Sequence, residues 1–178
     1  MLEEKMNADK LMALTKTEIP AMSKNLNADE IRFLVQMLNE KDDTLRYNAF
    51  LLLQSSSRMF PYVYDYWDIL EGKLESTNSY QRSLGVMLIA ENVKWDRNDR
   101  FSKTLDNYMR CCSDEKFITA RQAIQGLEAI LKATDRYDGQ IKQSLANLKF
   151  SQYKENQQKL LNKDKEKILK NIETKQAK

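Results

Sequence analysis

The chain has 178 residues, enough for a continuous apolar core, and only four Gly and two Pro among abundant helix formers, so strand-rich and loop-rich classes are excluded and an all-α fold is expected. Its net charge of +3 hides an asymmetry: residues 1–141 carry 19 Lys and Arg against 22 Asp and Glu, whereas residues 142–178 carry 10 against 4, so the bulk of the chain does not resemble a nucleic-acid binder. Histidine is absent, which removes the commonest general base and zinc ligand, and the longest apolar runs, Ala49 to Leu53 and Val86 to Ala90, are five residues each, far below the ~20 needed to cross a bilayer.

In chain order, Met1 to Asn7 mixes charges of both signs and lacks the apolar core of a secretory signal, so a cytoplasmic location is expected. Residues 8–24 read as partly helical, with Pro20 in the first turn of a second short piece. Asn27 followed by Glu30 has the form of a capping box, and Ile31, Val35 and Leu38 form one apolar stripe of the helix behind it. Asp42, Asn78 and Asp114 then recur at intervals of 36, each a short polar side chain able to cap a helix start. The second helix of each unit carries a stripe at 0, +4 and +7: Val63/Trp67/Leu70, Phe101/Leu105/Tyr108 and Ile141/Leu145/Leu148. Pro61 suits a restart of the first pair, Asn98 or Asp99 a cap in the second, and Asp135 to Gly139 a turn in the third. From Gln152 onward Lys, Glu, Gln and Asn surround a thin stripe of Leu161, Ile168, Leu169 and Ile172, which reads either as a polar-faced terminal cap or as a protruding helix.

A two-helix unit cannot hide its stripe alone, so successive units must stack into an α-solenoid. The 36-to-40-residue units, the Asp or Asn at the start of each, and Arg46 and Arg82 in the first helices resemble HEAT-like repeats of the armadillo/HEAT superfamily over about residues 28–151. The resemblance implies a short right-handed solenoid of stacked antiparallel helix pairs. The repeats are drawn at about 28–41 (partial), 42–75, 78–112 and 114–151, giving a 1–151 repeat domain and a basic helix over 152–178. The chain departs from the pattern in lacking the Pro frequent in HEAT first helices and in carrying Arg121 out of step with Arg46 and Arg82.

The oddest local composition is Phe60 to Asp68, with aromatic rings crowded beside two carboxylates. Val63 and Trp67 should face the core while Tyr62, Tyr64 or Tyr66 reaches a surface, either as a hot spot or as ordinary packing with hydroxyls in water. Arg46, Arg82 and Arg121 could line one face as fork-shaped donors or pair with acids of a neighbouring unit. Trp95, set among charges, is either an exposed binding ring or a lid folded onto helix ends. Adjacent Cys111 and Cys112 cannot bridge without strain, and Arg110 beside them could lower a thiol pKa, but no base is present to use it. With no phosphate loop, metal-ligand cluster or nucleophile elbow, the chain is expected to be no enzyme, with no catalytic residue, metal or cofactor. The leading expectation is a scaffold binding a protein or peptide, as a monomer or weak homo-oligomer. The alternative is a nucleic-acid-binding protein similar to HEAT-like alkylpurine DNA glycosylases, with Trp67, Trp95, Tyr64 and Asp65 approaching a base.

Overall fold

Capping chemistry places most of the helix starts. The computed structural model describes residues 5–178, so the first four residues of the Met1 to Asn7 stretch lie outside the described residues. These hold ten α-helices and two 3-10 turns, and no strand is found among them. Asn7 caps α1 (Ala8–Ala13) by accepting the Lys10 N–H at 2.9 Å, and Pro20 sits in the first turn of α2 (Ile19–Met22). The expected box forms at α3 (Ala28–Met37), where Asn27 and Glu30 exchange backbone-to-side-chain hydrogen bonds of 3.0 Å each. Asp42 caps α4 (Asp43–Ser57) through the Thr44 and Leu45 amides, both at 2.9 Å. A 3-10 turn, Tyr64–Tyr66, leads into α5 (Trp67–Lys73), so helical backbone begins one turn later than Pro61 predicts: the Pro61 carbonyl closes a turn with the Tyr64 amide at 3.1 Å. Asn78 caps α6 (Ser79–Asn92) through the Tyr80 amide at 2.9 Å, and a second 3-10 turn, Val93–Trp95, follows.

Two starts differ from expectation. At α7 (Arg100–Cys111) the cap position is Asp99, held in the left-handed region at φ 55°, but its side chain does not cap. Asp96 does so instead, accepting the Arg100 and Phe101 amides at 2.9 and 2.8 Å, while the Asp99 carboxylate takes the Tyr137 hydroxyl at 2.7 Å. At α8 (Phe117–Ala133) Lys116 occupies the cap position. Asp114, two positions before it, accepts the Lys116 amide at 2.9 Å while Arg82 engages both of its oxygens. α9 (Asp138–Asn147) and α10 (Glu155–Gln176) complete the chain.

The chain divides into two compact units, the first ending at Trp67 and the second spanning Asp68–Lys178; the boundary falls inside the stretch read as the 42–75 repeat. In the first unit α4 packs against α1, α2 and α3 over buried Leu11, Leu34, Leu38, Leu52 and Leu53. Asn48 Nδ2 donates to the Leu11 and Leu14 carbonyls at 2.9 and 3.2 Å, which ties the end of α1 to α4 without leaving the buried amide unsatisfied.

The second unit is built in two alternating rows. α8 lies between α6 and α10, joined by Ser83 to Thr119 at 2.9 Å on one side and Arg121 to Asp164 at 2.9 Å on the other. In the other row Glu71 accepts from Thr104 at 2.8 Å, linking α5 to α7, and Tyr137, at the cap position of α9, sets its ring edge-on to Phe101 at 5.1 Å. The three predicted stripes are buried except for Leu148, which sits just beyond α9 and is half-buried. Gly85 lets α6 close on the end of α5: a β-carbon there would lie 3.0 Å from Leu74 and Lys73 side-chain atoms and 3.1 Å from the Leu70 carbonyl. α10 packs on α8 and α9, with Leu161, Ile168 and Ile172 buried.

Candidate functional site

The aromatic segment acquires its geometry from the way α4 ends. The Phe60 amide donates to the Ser56 carbonyl at 2.8 Å, Pro61 turns the chain, and the tight 3-10 turn advances each residue by about 120°. Neighbouring rings are thereby sent to opposite sides. Tyr62 is 47% exposed and stacks on Phe60, with centroids 5.3 Å apart and planes 12° apart. Tyr64, expected as a surface candidate, is instead 3% exposed, because the turn aims it at the buried Trp67, which it meets edge-on at 5.6 Å. Asp65 is exposed and Tyr66 half-buried.

Tyr62, Asp65 and Tyr66 face Leu26, Ala28 and Ile31 at the start of α3 across a groove of about 310 Å³. Its neighbour, a hollow of about 410 Å³, shares Leu26 and adds the apolar Met6 and Met22, with Lys10, Glu18 and Glu30 as its charged groups. Glu18 accepts the Thr15 hydroxyl at 2.6 Å and the Thr15 amide at 2.9 Å, which lowers its pKa and keeps it ionised. Apolar walls, rings exposed on one side and carboxylates on the rim make a surface able to seat side chains; among the described residues no group of His, Cys, Asp and Glu is placed to hold a metal ion.

Each of the three arginines is engaged by partners of its own. Arg46, in the first unit, is bound through Nη1 to the Glu40 carbonyl at 2.8 Å and through Nη2 to Asp43. Arg82 holds Asp114 in a two-bond fork of 2.6 and 2.9 Å and also donates to the Ser76 carbonyl at 2.8 Å; the Asp114 hydrogen bond raises its pKa. Arg121 reaches Asp164 of α10 at 2.9 Å. A hollow of about 390 Å³ beside Arg82 and Arg110 is therefore already neutralised at its deepest cation by Asp114. Trp95 is half-buried under the Lys94 ammonium, 5.0 Å from its ring centroid.

Three further features were hidden from sequence reasoning. Burial pushes the Cys111 thiol up to about 11 and Cys112 further still, overriding the influence of Arg110, so both stay protonated. Lys73 is buried, at 6% exposure, and burial lowers its amine to about 8; a Lys three positions after Leu70 gives a weak hint, since it continues the apolar stripe. The Leu26 and Met22 wall carries no local signal either, being assembled by the packing of α2 and α3 on α4. No helix among the described residues is long and apolar enough to cross a membrane. No family model, curated protein or solved structure matches this chain.

Proposed function

We propose that the chain is a non-enzymatic interaction module, a short α-solenoid of HEAT-like units acting in the cytoplasm as a monomer or weak homo-oligomer, that docks a partner protein or peptide at the aromatic groove of its first unit. The observation that carries the binding reading is the groove itself: an exposed Tyr62 stacked on Phe60, with Asp65 and Tyr66 beside it, facing apolar Leu26 and Ile31 across about 310 Å³. Rigid aromatic surface of this kind offers large contact area at small entropic cost. The solenoid reading is supported by the alternating rows of the second unit and by side-chain bonds that join residues 32 to 39 positions apart, about one repeat, such as Arg82 to Asp114, Ser83 to Thr119, Tyr137 to Asp99 and Lys167 to Glu128.

Selection of short peptides from a random library on the immobilised full chain tests the docking site. Selected peptides should lose about tenfold or more in affinity on Tyr62→Ala, a loss of at least 1.4 kcal/mol. Peptides that bind the variant undiminished would remove the groove from the proposal. The nucleic-acid alternative loses two of its four candidate residues to burial, since Trp67 is 0% and Tyr64 3% exposed. Titration with duplex DNA at two salt concentrations separates it: it requires binding at low salt that falls steeply as salt rises.

A further inference from the structure

We infer that the two hollows meeting at Leu26 form one groove for a basic amphipathic helix, which rests on the interaction reading above and specifies the chemistry of its partner. The two hollows, about 310 and 410 Å³, each with apolar side chains in its wall, lie on either side of a single shared side chain, an arrangement that can receive anchors from successive turns of one helix face. Met6 and Met22 line the second hollow, and unbranched thioethers repack readily around anchors of different shape. The charged groups around the pair are Asp65, Glu18 and Glu30 against Lys10, an acidic excess that favours Lys or Arg flanking the anchors. Glu18 is held ionised by its two bonds from Thr15, so that its own charge persists below the usual carboxylate range. A helix suits such a groove because it satisfies its own N–H and C=O groups before it docks, so that only its side chains need partners.

The test is fluorescence anisotropy of the full chain with three labelled 14-residue peptides: one of Leu, Lys and Ala with Leu at helix-face spacing, its isostere with every Lys replaced by Glu, and the Lys peptide with every Leu replaced by Ser. The Leu/Lys peptide should bind, the Glu isostere and the Ser peptide each about tenfold more weakly or worse, and its affinity should fall about fivefold or more on Asp65→Lys and on Tyr62→Ala. Both variants change exposed side chains and should keep the far-ultraviolet helical signal of the parent. Equal binding of the Lys and Glu peptides, undiminished binding of the Ser peptide, or indifference to both substitutions would each overturn the inference. If library-selected peptides of other composition still depend on Tyr62, the interaction reading stands while the basic-helix partner falls.

Discussion

Lys73 shows how one side chain can set a pH dependence. Its amine, held at about 8 by burial against an ordinary value of 10.5, is protonated less readily in the folded chain than in the unfolded one. Its contribution to stability therefore rises as pH climbs from about 8 to about 10.5 and is at its worst below 8. Replacing it isolates the effect from the cysteines and tyrosines that titrate nearby. Lys73→Met should stabilise the protein most near pH 7, and the gain should shrink by about 3 kcal/mol by pH 10.5, measured as the difference between urea unfolding curves of the two proteins. A gain independent of pH would mean that the amine keeps its ordinary affinity for protons. Gly126 poses a different conflict. A β-carbon there would strike the Tyr108 hydroxyl, which donates to the Ala123 carbonyl at 2.9 Å, and would lie 3.1 Å from the Ala90 side chain. Helix propensity favours Gly126→Ala by about 1 kcal/mol, but overpacking against the fully buried Tyr108 costs about 1–3 kcal/mol. Net destabilisation is therefore expected in thermal unfolding, with partial rescue when Tyr108→Phe removes the obstructing oxygen.

Between helices, burial decides which ion pairs matter. Arg82 and Asp114 are only 12% and 6% exposed, so Arg82→Ala strands a carboxylate away from water and should cost about 3 kcal/mol. Arg121, 34% exposed against 16% for Asp164, keeps more solvent, and Arg121→Ala should cost about 1 kcal/mol or less. Chemical denaturation of the two single variants checks the order, and equal costs would refute the burial account. α10 follows the same logic with apolar groups. Lys159, Lys163, Lys167 and Lys170 are exposed, while Leu161, Ile168 and Ile172 cover α8 and α9, so a helix with a mostly polar composition is held by one apolar stripe together with the Arg121–Asp164 and Lys167–Glu128 pairs.

The division at Trp67 bears on how the chain opens. Each unit has its own apolar interior, Leu34, Leu38 and Leu52 in the first and Leu84, Leu88 and Ile124 in the second. Leu161→Ala removes a fully buried side chain of the second unit and should cost about 2–4 kcal/mol. In native-state hydrogen exchange, protection should fall in α8, α9 and α10 while α3 and α4 keep theirs. A uniform fall along the chain would show that the two units open as a single cooperative body.

Short-range features were legible in the residues alone. Asn27, Asp42 and Asn78 cap the helices they precede because each finds its amide partners within three positions, and the 0, +4, +7 stripes are buried, Leu148 apart, because helical spacing alone puts them on one side. Asp114 and Asp99 have the same chemistry but different roles, since Arg82, 32 residues away, and Tyr137, 38 residues away, compete for their oxygens with charge or a hydroxyl that no local pattern reveals. The same limit divided the aromatic segment. Its composition marked it as unusual, but only the turn after Pro61 sent Tyr62 outward and Tyr64 inward, and only the packing of α2 and α3 on α4 supplied the opposite wall of the groove. Local hydrogen bonding and periodicity are encoded within a few residues, whereas the charge of a neighbour and the shape of a surface depend on which distant segments compete for the same space.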